Sequence, residues 1–148
     1  MNKLLKLSAV LIIVPLLIAT QDDSDWPSLS YLRSDYKAVS VVAHVRIEKA
    51  EITSHVGGYE NWKINAVVLE SFKGPLKKGT SFEYFHGAEA GFKQDYFSGE
   101  KLVFLLSERD KEQQTHYSVL ENSTLPYTKD RAMKLRTIQR SMKRHRGK

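Results

Sequence analysis

The chain has 148 residues, a formal net charge of +6 and no cysteine. That length suits one domain with a self-sufficient core. The missing cysteine excludes disulfides, thiolate metal sites, a cysteine nucleophile and a lipoprotein anchor. The charge is uneven. Residues 1–20 carry +2, residues 21–128 hold 12 Lys/Arg against 16 Asp/Glu, and residues 129–148 hold 9 Lys/Arg against Asp130 alone. The basic character therefore belongs to the C-terminal segment, and the middle of the chain is mildly acidic.

The chain opens with Lys3 and Lys6, continues as the apolar run Ala9–Ala19, and turns acidic over Gln21–Asp25. A basic start, a short apolar stretch and a polar exit describe a secretory signal peptide over residues 1–20. The run is interrupted at Pro15 and falls short of the about 20 apolar residues that span a bilayer. Leu17 and Ile18 stand where a cleavage site prefers small residues, so a retained N-terminal anchor stays open beside cleavage. A secreted or periplasmic protein is expected, and export without cysteine leans towards a bacterial envelope. Residues 21–128 then form the folded domain, and residues 129–148 a basic amphipathic helix or tail.

Pro27, suited to a first helical turn, with Ser24, Asp25 and Ser28 as candidate caps, predicts a short helix or turn over Ser28–Lys37. Ala38–Glu51 alternates Val39, Val41, Ala43, Val45 and Ile47 with more polar residues and predicts a strand. Ser54–Gly58 reads as a glycine-containing connection. Glu60–Phe72 predicts a second long strand with Trp62, Ile64, Ala66 and Val68 on one face. Lys73-Gly-Pro-Leu-Lys-Lys-Gly79 is a turn, and Ser81–Phe85 a third strand. His86–Glu100 reads as a glycine-rich connection whose Phe92, Tyr96 and Phe97 require part of it to tuck inward. Lys101–Ser107 and Thr115–Leu120 complete five strands. Asp130–Lys143 is helical, with Leu135, Ile138 and Met142 on one stripe. The predicted class is mostly β, a small five-stranded OB-like Greek-key barrel with a short N-terminal helix and a basic C-terminal helix. A β-sandwich, which usually has about seven strands, is the alternative.

Three segments carry a family resemblance: Ala38-Val-Ser-Val-Val-Ala-His-Val-Arg-Ile47, Trp62-Lys-Ile-Asn-Ala-Val-Val-Leu-Glu-Ser-Phe-Lys-Gly-Pro-Leu76 and Ser98-Gly-Glu-Lys-Leu-Val-Phe-Leu-Leu106. Together they resemble secreted bacterial proteins whose OB-like domain is similar to the netrin module and to tissue inhibitors of metalloproteinases. The likeness spans Tyr36 to Leu120 and implies the barrel. Inhibitors of that superfamily chelate the target zinc through an N-terminal cysteine. This chain has none, so that mechanism does not carry over.

Chemistry is sparsely signalled. The five histidines (His44, His55, His86, His116 and His145) show no HExxH or paired spacing. His44, His86 and His116 lie on or beside predicted strands and would form a metal site only by converging in space. Glu83, Glu89, Asp95 and Glu100 surround the glycine-rich connection, as an acid–base pair or as a solvated loop. Nucleophile-elbow and phosphate-loop motifs are missing, and no cofactor is implied. Two surfaces stand out. The aromatics Tyr59, Trp62, Phe82, Tyr84 and Phe85 fall on the second and third strands, where such barrels often bind ligands; Tyr59, Trp62, Tyr84 and Phe85 form the candidate ligand face. Arg140, Lys143, Arg144, Arg146 and Lys148 form a candidate anion-binding face.

The leading expectation is an exported, non-enzymatic binding module that presents the barrel face to a protein or glycan. The alternatives are a peripheral binder of anionic membrane surfaces or acidic glycans through the basic tail, and a hydrolase or metalloprotein with a histidine site. Nucleic acid is the least favoured partner of an exported chain.

Overall fold

A computed structural model describes residues 26–91 and 94–146. The expected signal segment and Phe92 lie outside these residues. In chain order the elements are α1 (Leu29–Ala38), β1 (Val41–Val56), β2 (Tyr59–Lys73), β3 (Ser81–Glu89), a short 3-10 helix (Gln94–Phe97), β4 (Glu100–Arg109), β5 (Thr115–Pro126) and α2 (Lys129–Arg146). The strands close into a barrel in the order β1-β2-β3-β5-β4. β3 and β5 pair in parallel and the other neighbours are antiparallel. This is the OB-like Greek-key barrel with flanking helices that the sequence predicts.

Closure depends on β1. Its first residues, Val41–Arg46, pair with β4, while Val42–Val56 pair with β2. Serving both neighbours requires the strand to curl, and its pairing with β2 slips register at four places between Val42 and Ser54. Such irregularities bend a strand and raise its twist. The strand outlasts the predicted end at Glu51. Ser54, His55 and Val56 still pair, and only Gly57-Gly58 turn the chain. Both glycines have positive φ, 58° and 85°, as a two-residue hairpin turn matched to strand twist demands.

Alternation along these strands separates two apolar cores. Inside the barrel lie Val41, Ala43, Val45, Ile64, Ala66, Val68, Val103 and Leu105, with the aromatics Trp62, Tyr84 and Phe97. Outside it, Val42, Phe72, Leu102 and Phe104 pack under both helices, meeting Leu32 and Tyr36 of α1 and Ala132, Leu135 and Ile138 of α2. Val41–Val45 of β1 and Lys101–Leu105 of β4 are buried at five consecutive positions, because one face meets the barrel interior and the other the helices. The predicted stripe of α2 does dock, so residues 129–146 supply part of a core.

The two helices are also tied down by polar groups. Ser28 caps α1, its side chain accepting from the Tyr31 amide at 3.3 Å; Pro27 therefore precedes the helix and does not sit in its first turn. At the other end of α1, Lys73 Nζ of β2 donates to the carbonyls of Tyr36 (2.7 Å) and Val39 (2.5 Å). These are the orphan acceptors of a helix C-terminus, where a cation is favoured. The Phe72 carbonyl accepts from Tyr36 Oη at 2.8 Å and from Gln139 Nε2 of α2 at 2.7 Å. Glu70 of β2 receives a two-pronged ion pair from Arg136, at 2.7 and 2.9 Å.

Like β1, strands β3, β4 and β5 run past their predicted ends, β4 by two residues to Arg109. β3 continues through His86, Gly87 and Ala88 to Glu89 because β2 reaches far enough to pair with all of them. β5 continues past Leu120 to Pro126 after a break. Val103 faces Thr124 while Leu105 faces Val119, so extra residues of β5 bulge out between them. That bulge, Leu120–Ser123, obscures the strand pattern in the sequence. Phe97 is buried, as the aromatic content of the connection requires.

Gly74 gives the fold a local test. Its φ is +94°, and a Cβ there would stand 2.7 Å from the Ser40 carbonyl oxygen and 2.8 Å from Val41 Cγ2. Gly74→Ala is expected to cost about 2–4 kcal/mol in chemical denaturation, from backbone strain plus overpacking. Gly57→Ala, also at positive φ but with open space around it, is expected to cost about 1 kcal/mol. Equal costs would mean that the clash at Gly74 relaxes freely.

Candidate functional site

The barrel divides the expected ligand face in two. Trp62 and Tyr84 point inward, 4% and 0% exposed, whereas Tyr59 and Phe85 point outward, 57% and 37% exposed. Trp62 packs on Phe97 with ring centroids 4.7 Å apart, and Tyr84 stacks on the half-buried Phe82 at 5.7 Å. The cause is the period of a strand. Tyr59 and Trp62 are three residues apart, Tyr84 and Phe85 adjacent, and odd offsets change face. Parity alone separates them, and it is legible in the sequence.

What remains outside is a smaller platform. Along β3 it runs Phe85, Gly87, Glu89; along β2, opposite these, Lys63, Asn61, Tyr59. Val56 of β1, exposed, pairs with Tyr59. Gly87 has no side chain to cover the sheet between Phe85 and Glu89, so the backbone there is open. Lys63 bridges Glu51 at 3.4 Å and Glu83 at 3.7 Å and closes one end of the patch with charge.

The barrel interior holds a polar cluster that the sequence did not flag. Glu60, Trp62, Tyr84 and His86 all face inward on β2 and β3. His86 Nδ1 lies 3.5 Å from Thr124 Oγ1, and the ring packs edge-on against Phe97. Tyr96 Oη donates to the Thr124 carbonyl at 2.8 Å, and Lys101 Nζ lies over the Tyr96 ring. Glu60 Oε1 accepts from the Gly91 amide at 3.4 Å. Desolvation dominates here. It pulls the His86 imidazole down to about 4, lowers Lys101 and raises the Tyr84 and Tyr96 hydroxyls. Tyr84 Oη, Trp62 Nε1 and Glu60 Oε2 have no hydrogen-bond partner among the described residues.

The histidines do not converge. His44 lies on the outer side of β1, its Nε2 2.8 Å from Glu100 Oε2 and its ring stacked on Tyr127 at 3.7 Å. His86 is inside the barrel. His116 pairs with Asp110 at 2.7 Å at the β4–β5 turn, which also holds Asp110 below the usual carboxylate range. Among the described residues no three His, Asp or Glu side chains gather as metal ligands. The four acids of the glycine-rich stretch stay apart as well. Glu83 and Glu89 lie on the outer face of β3, Asp95 is on the 3-10 helix and Glu100 faces His44; all four are exposed.

The basic residues are gathered at the far end of α2. Arg140, Lys143 and Arg144 are exposed, Arg146 ends the helix, and Lys148 lies outside the described residues. Beside them a cavity of about 440 Å³ opens between the end of α1, the end of β2 and the last turns of α2, with Lys37, Lys73 and Lys143 in its lining. Fold and geometry define a closed OB-like barrel with an outer aromatic platform on β2–β3 and a basic helical layer. No protein-family model matches the chain, and no curated protein matches it either.

The His86 ring makes the interior pH-sensitive. Its folded value, about 4, lies below its ordinary 6.5. Between these values the unfolded chain binds a proton that the folded one does not, so stability falls as pH drops through the window and levels off below it. In His86→Gln that contribution is absent. The wild type is expected to lose about 3 kcal/mol relative to the variant between about pH 7 and about pH 4, measured by urea denaturation at each pH. Parallel curves would place the ring in contact with solvent.

Proposed function

We propose that the protein is an exported, non-enzymatic binding module of the cell envelope or extracellular space, presenting the outer face of β2–β3 to a protein or glycan. The observation that carries this is the pair Tyr59 and Phe85, exposed on one sheet face around the bare backbone of Gly87. Exposed aromatics on a rigid sheet offer stacking area at small entropic cost. Export rests on the N-terminal pattern of Lys3, Lys6 and the apolar run. The Lys73-Gly-Pro-Leu76 and Gly99–Leu106 segments support kinship with netrin-like domains, which we infer as the family of origin. In Tyr59→Ala/Phe85→Ala, retention on immobilised polysaccharides or peptides that hold the wild type is expected to weaken about tenfold or more. The melting temperature should stay unchanged. Wild type and variant behaving alike on every matrix would remove the platform from the function.

A second reading is favoured by a separate observation. Arg140, Lys143 and Arg144 are exposed and have no carboxylate partner among the described residues, which suits peripheral attachment to anionic membrane surfaces or acidic glycans. α2 belongs to the outer core, so charge substitution is the right probe and truncation is not. Co-sedimentation with phosphatidylglycerol vesicles at low salt is expected to drop in Arg140→Gln/Arg144→Gln and to vanish for the wild type in high salt. Salt-independent sedimentation would rule the surface out.

A further inference from the structure

We propose that the cavity between α1, β2 and α2 is a binding site for a small organic phosphate, held by Lys37 and Lys143. Its volume of about 440 Å³ lies within the range of small-molecule sites and exceeds what a bare ion fills. The lining has one sign. It contains Lys37, Lys73 and Lys143 and no Asp or Glu. Glu70, next along β2 from the lining residue Ser71, is already engaged by Arg136. Lys73 is committed to the carbonyls of Tyr36 and Val39, so its charge offsets the negative end of α1. Lys37 and Lys143, by contrast, have no carboxylate partner among the described residues. Two ammonium side chains that line one cavity favour an anion there, and lysine serves phosphate as a point charge.

The floor is preformed. The Phe72 carbonyl binds both Tyr36 Oη and Gln139 Nε2, which locks three elements around the cavity before any ligand arrives and reduces the ordering cost of binding. Met142, half-buried in the wall, offers an apolar surface to the organic part. The same chemistry fits a lipid headgroup or a soluble phosphate ester. The site is independent of the aromatic platform and shares only Lys143 with the basic helix face.

The experiment is calorimetric titration of the purified protein at low salt with inorganic phosphate, glycerol 3-phosphate and monomeric dihexanoyl phosphatidic acid. Saturable one-to-one binding of at least one ester is expected. Lys37→Gln/Lys143→Gln should weaken it about tenfold or more, and Arg140→Gln/Arg144→Gln should leave it within about twofold. Thermal midpoints of both variants should match the wild type, since the altered side chains are exposed. Preference for the lipid points to a membrane source, and equal binding of glycerol 3-phosphate to a soluble one. Absence of saturable binding for all three probes, or equal weakening by the two double variants, overturns the proposal, the latter by revealing diffuse surface attraction.

Discussion

The structure depends on β1 and β4 being buried on both faces. Five consecutive residues of each are out of solvent, which is unusual for an antiparallel pair and follows from having a barrel on one side and helices on the other. Val41, Ala43 and Val45 fill the barrel; Val42 anchors the helical layer. The barrel interior is small, and its own apolar content is limited to one side of each strand. The second core, built on the outside of the same two strands, adds buried surface without adding a sheet.

The helical layer is joined to the barrel through the end of β2. Lys73 satisfies the carbonyls that terminate α1, Phe72 shares its carbonyl between α1 and α2, and Glu70 holds Arg136. Gly74 then turns the chain away in a conformation and a space that exclude a side chain. The Lys-Gly-Pro sequence is thus a structural joint: a cap donor, a positive-φ residue and a turn former in succession. The same joint concentrates positive charge, because Lys37 and Lys143 arrive beside Lys73 with no acid among the lining residues.

The interior of the barrel has a different character at the end closed by Phe97. Glu60, His86, Thr124 and Tyr96 form a desolvated polar group in which neutral imidazole is favoured and ionised tyrosine disfavoured. Buried polar groups of this kind cost stability when imperfectly paired. The outer surface of β2–β3, by contrast, carries the exposed aromatics Tyr59 and Phe85.

Much of the fold was legible in the residues. The alternation of Val41, Ala43 and Val45, the turn signals at Gly57-Gly58 and Lys73–Gly79, and the stripe Leu135, Ile138 and Met142 specify strands, turns and a docking helix, because side-chain period is a local property. The division of the aromatics between the two faces is also a local property, since odd offsets along a strand change face. Other features had no local signature. The broken second half of β5 exists because β4 offers it a partner, and the separation of His44, His86 and His116 follows from barrel closure. The convergence of Lys37, Lys73 and Lys143, from three elements, depends on how α2 lies across the end of β2. The sequence by itself determined the class of fold, the lack of thiol chemistry and the segregation of charge. Which charges meet, and which rings face water, only the tertiary structure decided, since both depend on contacts between residues far apart in the chain.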